Sequence, residues 1–367
     1  MPELSLLIKP ASGSCNLRCG YCFYRPMAAE RGIMREETLR VIAQKALAFA
    51  EGSCSFTFQG GEPTLAGLDF FRRLVSLCAE YNTKNVAVNY MLQTNGVAVD
   101  GEWAKFLAEN KFLTGLSLDG PEDIHDGNRI YPDGRDSFET VKKTAGLLDA
   151  AGAEFNILSV VTSKSAKNAE RIYRFYAKNG FRFLQFIPCL DGHGTERGQN
   201  EFSLKPSAYA RFLKIMFGLW YGDIKRGNIV SIRYFDNILG MFMGRPPEQC
   251  GLFGACRCQF VVEADGSVYP CDFYVMEDWK IGDIAEDSFE GMYNSPTCQK
   301  FIQASLPPHP DCEKCKWKNL CRGGCRRDRD FWERGLQKNY YCSAYKEFFE
   351  YSIPRFQELA RIIKKTY

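Results

Sequence analysis

Ser53-Cys-Ser-Phe-Thr-Phe-Gln59, followed at once by Gly60-Gly61-Glu62-Pro63-Thr64, is the stretch that decides the fold. Cys54, Phe56 and Phe58 alternate with polar residues, the period of a strand with one buried face. The two glycines end the strand and let a ligand approach the backbone closely. Helical periodicity flanks it. Upstream, residues 35–51 place Leu39, Ile42, Ala43, Ala46, Leu47 and Ala50 on one helix face. Downstream, a helix over 68–81 leads to a strand over 85–93 that stops at Thr94-Asn95-Gly96. A helix over 101–109 leads to a strand over 113–118 that stops at Asp119-Gly120-Pro121. Helices over 137–150 and 166–178 then alternate with strands over 154–162 and 183–188. With 4–9 as the first, six strands alternate with helices. Such alternation predicts an α/β fold with right-handed crossovers and parallel strands, open or curled into part of a barrel. Ligands of such folds sit at the carboxyl ends of the strands, so the loops after them share a functional face.

One of those loops is Ser14-Cys15-Asn-Leu-Arg-Cys19-Gly-Tyr-Cys22-Phe-Tyr24. Its three thiolates can converge on one metal centre, one short of the four cysteines that usually hold a four-iron cluster. A centre with three protein ligands keeps an open position for chemistry; a remote fourth cysteine would make it a closed structural site instead.

Beyond residue 192 the rhythm breaks. Residues 205–225 form one amphipathic helix, 230–243 include another, and 345–365 close the chain with a third. Residues 259–271 read as a β-hairpin around Asp265-Gly266. Cys250, Cys256, Cys258 and Cys271 bracket it, and Cys312-x-x-Cys315-x5-Cys321-x3-Cys325 follows, with Cys342 further on. Sixteen cysteines in 367 residues, with no basic region or cleavage site of a signal peptide at the start, point to metal ligands in a reducing cytoplasm. A zinc ribbon-like site at 312–325 is one way to use them. A formal net charge of +3 lends no support to a nucleic-acid partner. No apolar run approaches the ~18 residues of a membrane span.

The Cys15, Cys19, Cys22 loop together with Gly-Gly-Glu-Pro one strand later resembles the radical S-adenosylmethionine (SAM) enzymes. The resemblance implies a partial (β/α)6 barrel over residues 1–230. Its cluster is held by Cys15, Cys19 and Cys22, with SAM on the open iron. SAM contacts are then expected from Tyr21, Gly61, Ser117, Arg129 and Leu190. The later cysteines resemble a SPASM-type extension, placed over 231–367, that binds two auxiliary 4Fe-4S clusters. Cys250, Cys256, Cys271 and Cys325 would hold the first, and Cys312, Cys315, Cys321 and Cys342 the second. Cys258, two residues from Cys256, leaves that assignment open. Cys54, Cys78, Cys189, Cys258 and Cys298 remain as small buried hydrophobes.

The stretches Leu6-Leu-Ile-Lys-Pro-Ala-Ser12, Phe58-Gln-Gly-Gly-Glu-Pro-Thr-Leu-Ala-Gly67, Leu92-Gln-Thr-Asn-Gly96, Ser231-Ile-Arg-Tyr-Phe-Asp236 and Ser267-Val-Tyr-Pro-Cys-Asp-Phe-Tyr274 narrow the match. In this order they resemble the anaerobic sulfatase-maturating enzymes, which oxidise a cysteine or serine of a sulfatase to formylglycine. The resemblance implies hydrogen abstraction from the target Cβ by a deoxyadenosyl radical, with Asp272 as base and an auxiliary cluster taking the surplus electron. Apolar neighbours and an anionic cluster would raise the pKa of Asp272, whereas a turn-capping Asp is the plainer reading. Gln59 and Tyr24 either border the substrate or serve the core. His125, His193 and His309 share no metal spacing. The implied partners are a sulfatase segment of the Cys-x-Pro-x-Arg type and an electron donor such as ferredoxin or flavodoxin, in the cytoplasm of an anaerobic organism. Two rivals are a maturase that crosslinks a ribosomal peptide and a non-catalytic zinc or electron-transfer protein. Only fourteen residues precede Cys15, which weighs against the former, whose members often carry a leader-peptide-binding domain there, though a detached partner could supply that function.

Overall fold

The computed structural model describes residues 3–25, 28–29, 31–306, 309–330 and 337–366. Met1 and Tyr367, the outer ends of the two expected domains, lie outside them. The six expected strands form as β1 (Leu4–Ile8), β2 (Ser53–Phe58), β3 (Ala87–Thr94), β4 (Leu113–Ser117), β5 (Phe155–Val161) and β6 (Phe183–Pro188). Four short ones follow: β7 (Ser231–Ile232), β8 (Val261–Val262), β9 (Ser267–Tyr269) and β10 (Gly282–Asp283). The chain folds as two compact units that do not follow sequence order.

The first unit comprises Met1–Leu118, Asn128–Phe155 and Arg257–Ile302. Strands β1 to β4 pair in parallel in chain order, with Leu6 beside Phe56 and Phe56 beside Tyr90. The helices Glu36–Phe49 and Leu68–Tyr81 bury the faces their periodicity marks, Leu39, Ile42, Ala43, Ala46 and Leu47 in one and Phe71, Leu74 and Leu77 in the other. The helix Gly101–Glu109 starts at Asp100, whose carboxylate accepts from the Glu102 and Trp103 amides, a side-chain cap for otherwise orphaned donors. Phe58, Phe71, Trp103 and Phe112 interlock edge to face in the core.

The hairpin β8–β9 forms around Gly266, but its place differs from a separate extension. β8 runs parallel beside β1, with Leu7 opposite Val261 and Ile8 opposite Val262, and β10 adds antiparallel to β9. The hairpin therefore continues the sheet of the N-terminal strands. Left uncovered, β1 would present an edge of unpaired backbone groups; the Lys9 amide instead donates to Val262 O at 2.8 Å.

The second unit comprises Asp119–Gly127, Asn156–Cys256 and Gln303–Tyr367. In it β5, β6 and β7 pair in parallel. The helix expected over 166–178 is two, Ser163–Lys167 and Ala169–Lys178. Asn168 separates them at φ −115°, and its side chain bonds the Lys164 carbonyl, the local competition that asparagine brings to helix interiors. Helices Pro206–Lys225 and Cys342–Thr366 pack through Phe217, whose ring lies 4.7 Å from that of Phe356. Among the described residues no helix is long and apolar enough to cross a membrane.

Candidate active site

Three loops at the carboxyl ends of β1, β2 and β3 are joined through one side chain. Glu62 is fully buried, and its carboxylate accepts from the Thr64 hydroxyl at 2.7 Å, the Thr94 hydroxyl at 2.7 Å and the Asn95 amide at 2.8 Å. Its backbone N–H donates to Ser14 O at 2.8 Å. Burial pushes the Glu62 carboxyl above the usual range, while these donors pull it back. Asn95 reaches the cysteine loop directly, donating to Asn16 Oδ1 at 2.7 Å and towards Cys15 Sγ at 3.7 Å. Gly61 sits at φ +53°, and a Cβ there would lie 2.3 Å from the Ser14 carbonyl oxygen, so no other residue fits so close to the loop. Burial pushes the Cys15 thiol up, with Glu62 and Cys22 adding to it.

The second cluster of groups is built on Lys9, the residue at the end of β1. Its side chain is buried, with Nζ 2.6 Å from Asp272 Oδ1 and 3.5 Å from the Tyr24 ring centroid. Asp272 Oδ2 accepts from Gln59 Nε2 at 2.7 Å. Both carboxylate oxygens are thus held, yet the side chain keeps 13% exposure, so it remains reachable. The Tyr24 hydroxyl donates to Glu263, which also accepts from Ser12 Oγ at 2.5 Å and lies 4.0 Å from the Arg31 guanidinium. Phe23 packs edge to face on Phe273 at 5.0 Å. Tyr24, Val261, Tyr269 and Val275 form a buried cluster on which Cys22 and Phe23 rest, tying the cysteine loop to the hairpin that carries Asp272.

The apolar setting expected for Asp272 is not what forms. Phe273 turns to Phe23, and Tyr274 packs against Trp279 and Phe301. A lysine and a glutamine face the carboxylate instead. Of these groups the sequence reading missed Lys9, Ser12, Glu263 and Asn95. Lys9 had a signal, a lone cation directly after the apolar Leu6-Leu7-Ile8.

Gly60 leaves the room Lys9 needs. It lies at φ +86°, and a Cβ there would come 2.5 Å from Lys9 Nζ and 2.8 Å from its Cγ. Gly60→Ala is expected to destabilise the protein by about 1–2 kcal/mol from the left-handed backbone alone, and to lower turnover by displacing Lys9 from Asp272. Denaturant melts paired with an activity assay check both effects.

Of the expected SAM contacts, Tyr21, Gly61, Ser117 and Arg129 lie in the first unit. The Arg129 guanidinium is 5.5 Å from the Tyr21 ring centroid. The two segments are stitched by the Gly20 amide on Asn128 O at 2.9 Å and the Arg18 amide on Ile130 O at 2.7 Å. Ser117 is buried at the end of β4. Leu190 belongs to the second unit. His125 accepts from the Asp119 amide at 3.3 Å, a satisfied core histidine.

In the second unit burial pushes the Cys321 thiol up to about 11, with the Cys342, Cys312 and Cys315 thiols adding. Burial also raises Cys325, with the Asp328 carboxylate and then Cys250 and Cys256 adding. Cys271 lies in the first unit. Cys258 is hydrogen-bonded to Cys298, and that bond and burial push its thiol far up. Among the described residues no three His, Cys, Asp or Glu side chains form a group that could hold a single metal ion.

Residues 10–185 match the radical SAM superfamily, and residues 250–316 match the SPASM iron–sulfur cluster-binding domain. The class is therefore that of radical SAM enzymes carrying a SPASM domain, whose cofactors are SAM, a 4Fe-4S cluster and auxiliary iron–sulfur clusters. Over 370 residues the chain is 51% identical to a cysteine-type anaerobic sulfatase-maturating enzyme of Clostridium perfringens (strain 13 / Type A), covering 99% of this chain and 100% of the relative. A serine-type anaerobic sulfatase-maturating enzyme of Bacteroides thetaiotaomicron is 28% identical, covering 96% and 90%. The solved structure of native anSMEcpe with bound AdoMet and Cp18Cys peptide superposes with a TM-score of 0.96 at 50% identity, covering 99% of this chain and 100% of that one. The chain belongs to the anaerobic sulfatase-maturating enzymes.

Proposed function

We propose that this chain oxidises a cysteine of a client sulfatase to Cα-formylglycine, with Asp272 as the proton acceptor. The observation that carries the reading is the Asp272 carboxylate. It is fixed by Lys9 and Gln59 and still partly exposed, in the same unit as the Cys15, Cys19, Cys22 loop. Identity of 51% to a cysteine-type relative against 28% to a serine-type one favours cysteine over serine as target.

Cys15, Cys19 and Cys22 would hold the cluster with the open iron. Tyr21, Gly61, Ser117, Arg129 and Leu190 would line SAM, with Arg129 supplying charge for its carboxylate. When bound, SAM and this cluster supply the radical that takes a hydrogen atom from the target Cβ. Asp272 takes the target thiol's proton, the surplus electron would go to an auxiliary cluster, and water hydrolyses the resulting thioaldehyde to the aldehyde with release of sulfide. Lys9 and Gln59 each bond one oxygen of the carboxylate and so hold it aimed. Cys250, Cys256, Cys271 and Cys325 would hold one auxiliary cluster; Cys312, Cys315, Cys321 and Cys342 would hold the other. Residues 1–230 would serve as the SAM-binding domain and 231–367 as the auxiliary-cluster domain. The client segment is of the Cys-x-Pro-x-Arg type, the electron donor a ferredoxin or flavodoxin, and the compartment the cytoplasm.

The test is anaerobic incubation with SAM, a reductant and a Cys-x-Pro-x-Arg peptide, followed by mass measurement. Conversion of thiol to aldehyde is expected; an unaltered or crosslinked peptide would sink the reading. Iron content tests the ligand sets. About twelve irons per chain are expected for three four-iron clusters. Cys258→Ser should keep that number, because Cys258 is occupied by Cys298, whereas Cys256→Ser should lose about four.

A further inference from the structure

Glu263 is a fully buried carboxylate in the turn after β8, with no part in the proton transfer proposed above. Its backbone is fixed by that turn: the Glu263 amide donates to Ser267 O at 2.9 Å, and the Gly266 amide to Glu263 O at 3.0 Å. Burying an ionised carboxylate is costly unless hydrogen bonds satisfy it. Two hydroxyls do so here, Ser12 Oγ on Oε2 at 2.5 Å and the Tyr24 hydroxyl on Oε1. Burial and the neighbouring Glu263 carboxylate push the Tyr24 hydroxyl well above its ordinary range, so it stays a donor. The Arg31 guanidinium lies 4.0 Å from Oε2, with its Nε on Asp265 and its Nη2 on Tyr269, both at 2.8 Å.

The two hydroxyls stand on either side of the cysteine loop, because Ser12 precedes Cys15 and Tyr24 follows Cys22. Ser12 is held at φ +47°, a left-handed conformation that a serine rarely adopts. Its amide donates to Lys9 O at 3.1 Å, and a Cβ on Gly61 would come 2.5 Å from its carbonyl oxygen. Such a residue persists only where its surroundings fix it, and Glu263 supplies the side-chain bond. Tyr24 also reaches the base. Its ring carries Lys9 Nζ at 3.5 Å, and that nitrogen lies 2.6 Å from Asp272 Oδ1. Glu263 and Asp272 follow the two strands of one hairpin, and all of these residues belong to the first unit. One carboxylate therefore holds both flanks of the loop carrying Cys15, Cys19 and Cys22, and is linked to the base through Tyr24 and Lys9.

We propose that Glu263 is a positioning residue: it fixes the cysteine loop against the hairpin that carries Asp272, so that radical formation and proton removal meet on the same target residue. The proposal rests on the function proposed above, and Glu263 acts in it only through Ser12 and Tyr24.

The experiment uses the iron-loaded protein and its Glu263→Ala, Glu263→Gln and Ser12→Ala variants, incubated with SAM, a reductant and the Cys-x-Pro-x-Arg peptide. The readout is deoxyadenosine formed per aldehyde formed. Misplacing reacting groups by about 1 Å can cost on the order of 10²-fold, so Glu263→Ala is expected to raise that ratio at least about tenfold. Glutamine keeps both bonds, its carbonyl accepting from Tyr24 and its amide donating to Ser12, and should hold the ratio close to wild type. Ser12→Ala severs one flank only and should raise the ratio by less; it carries the test if Glu263→Ala does not fold. A second readout needs no turnover. Release to a chelator should be faster for about four irons, the content of one cluster, in Glu263→Ala and unchanged in Glu263→Gln. Loss of both products in proportion in Glu263→Ala, or in Ser12→Ala where the former does not fold, overturns the proposal whatever the iron does, because it marks a role in folding alone. A ratio as high in Glu263→Gln as in Glu263→Ala overturns it too. Wild-type protein that makes no aldehyde removes the proposed function and this proposal with it; an unchanged ratio beside a wild type that does make aldehyde removes this proposal alone.

Discussion

Asp272→Asn leaves a folded, iron-loaded protein that still cleaves SAM and no longer makes formylglycine. A positioned general base contributes about 10²–10⁴-fold, so aldehyde formation should fall by at least the lower figure. The substitution keeps the volume of the side chain and its place beside Gln59, but removes the one atom set able to accept a full proton. On the proposed reading the radical is generated at the cluster of Cys15, Cys19 and Cys22, whereas the Asp272 carboxylate is held by Lys9 and Gln59. The two activities should therefore separate. Liquid chromatography of deoxyadenosine against peptide mass measures both in one reaction. Undiminished peptide oxidation would remove Asp272 from the role of base. Equal loss of both activities would make its part structural, a distinction that a single readout would miss.

How much of this was readable beforehand depends on how local each signal is. The strands from β1 to β6 carry their own period and their own glycine stops, and they form within about two residues of the expected ends. Spacing marks Cys312, Cys315, Cys321 and Cys325 as one cysteine-rich stretch, and the set that joins Cys342 to the first three is what the family resemblance implies. The neighbours of Asp272 were not. The hairpin carrying it was placed with the C-terminal extension, because pairing of β8 with β1 joins segments far apart in sequence and leaves no periodic trace in either. Lys9 stands alone as a cation after an apolar strand, which by itself does not name its partners. Its burial follows only once Gly60, Tyr24 and Asp272 are seen around it. The same holds for Glu263, whose partners Ser12 and Tyr24 lie at the other end of the chain. Cys258 was ambiguous by spacing to Cys256 alone, and its bond to Cys298 offers it a different role.

The pairing of Lys9 with Asp272 carries the second large effect, one on stability. Lys9→Met removes the cation from a site where its partner's Oδ1 lies 2.6 Å away and the lysine side chain is only 1% exposed. Breaking a buried pair by removing one partner costs about 3–5 kcal/mol, because the other charge stays behind unpaired. For a chain of this size each kcal/mol lowers the thermal midpoint by roughly 2–4 °C, so a drop on the order of 10 °C is expected. Asp272→Asn alone leaves the opposite charge stranded and should also lower the midpoint. It should do so by less, since the lysine keeps the face of Tyr24 at 3.5 Å as a second partner. Combining them leaves no charge to strand: methionine beside asparagine is a neutral pair, with Gln59 still in place to bond the amide. The double variant should therefore be more stable than Lys9→Met alone, with a coupling of about 0.5–3 kcal/mol. Additive losses would show that the two side chains do not act as a pair. Recovery of stability without recovery of activity in the double variant would show a further point: the ion pair fixes the base in place at a cost the fold does not otherwise need to bear.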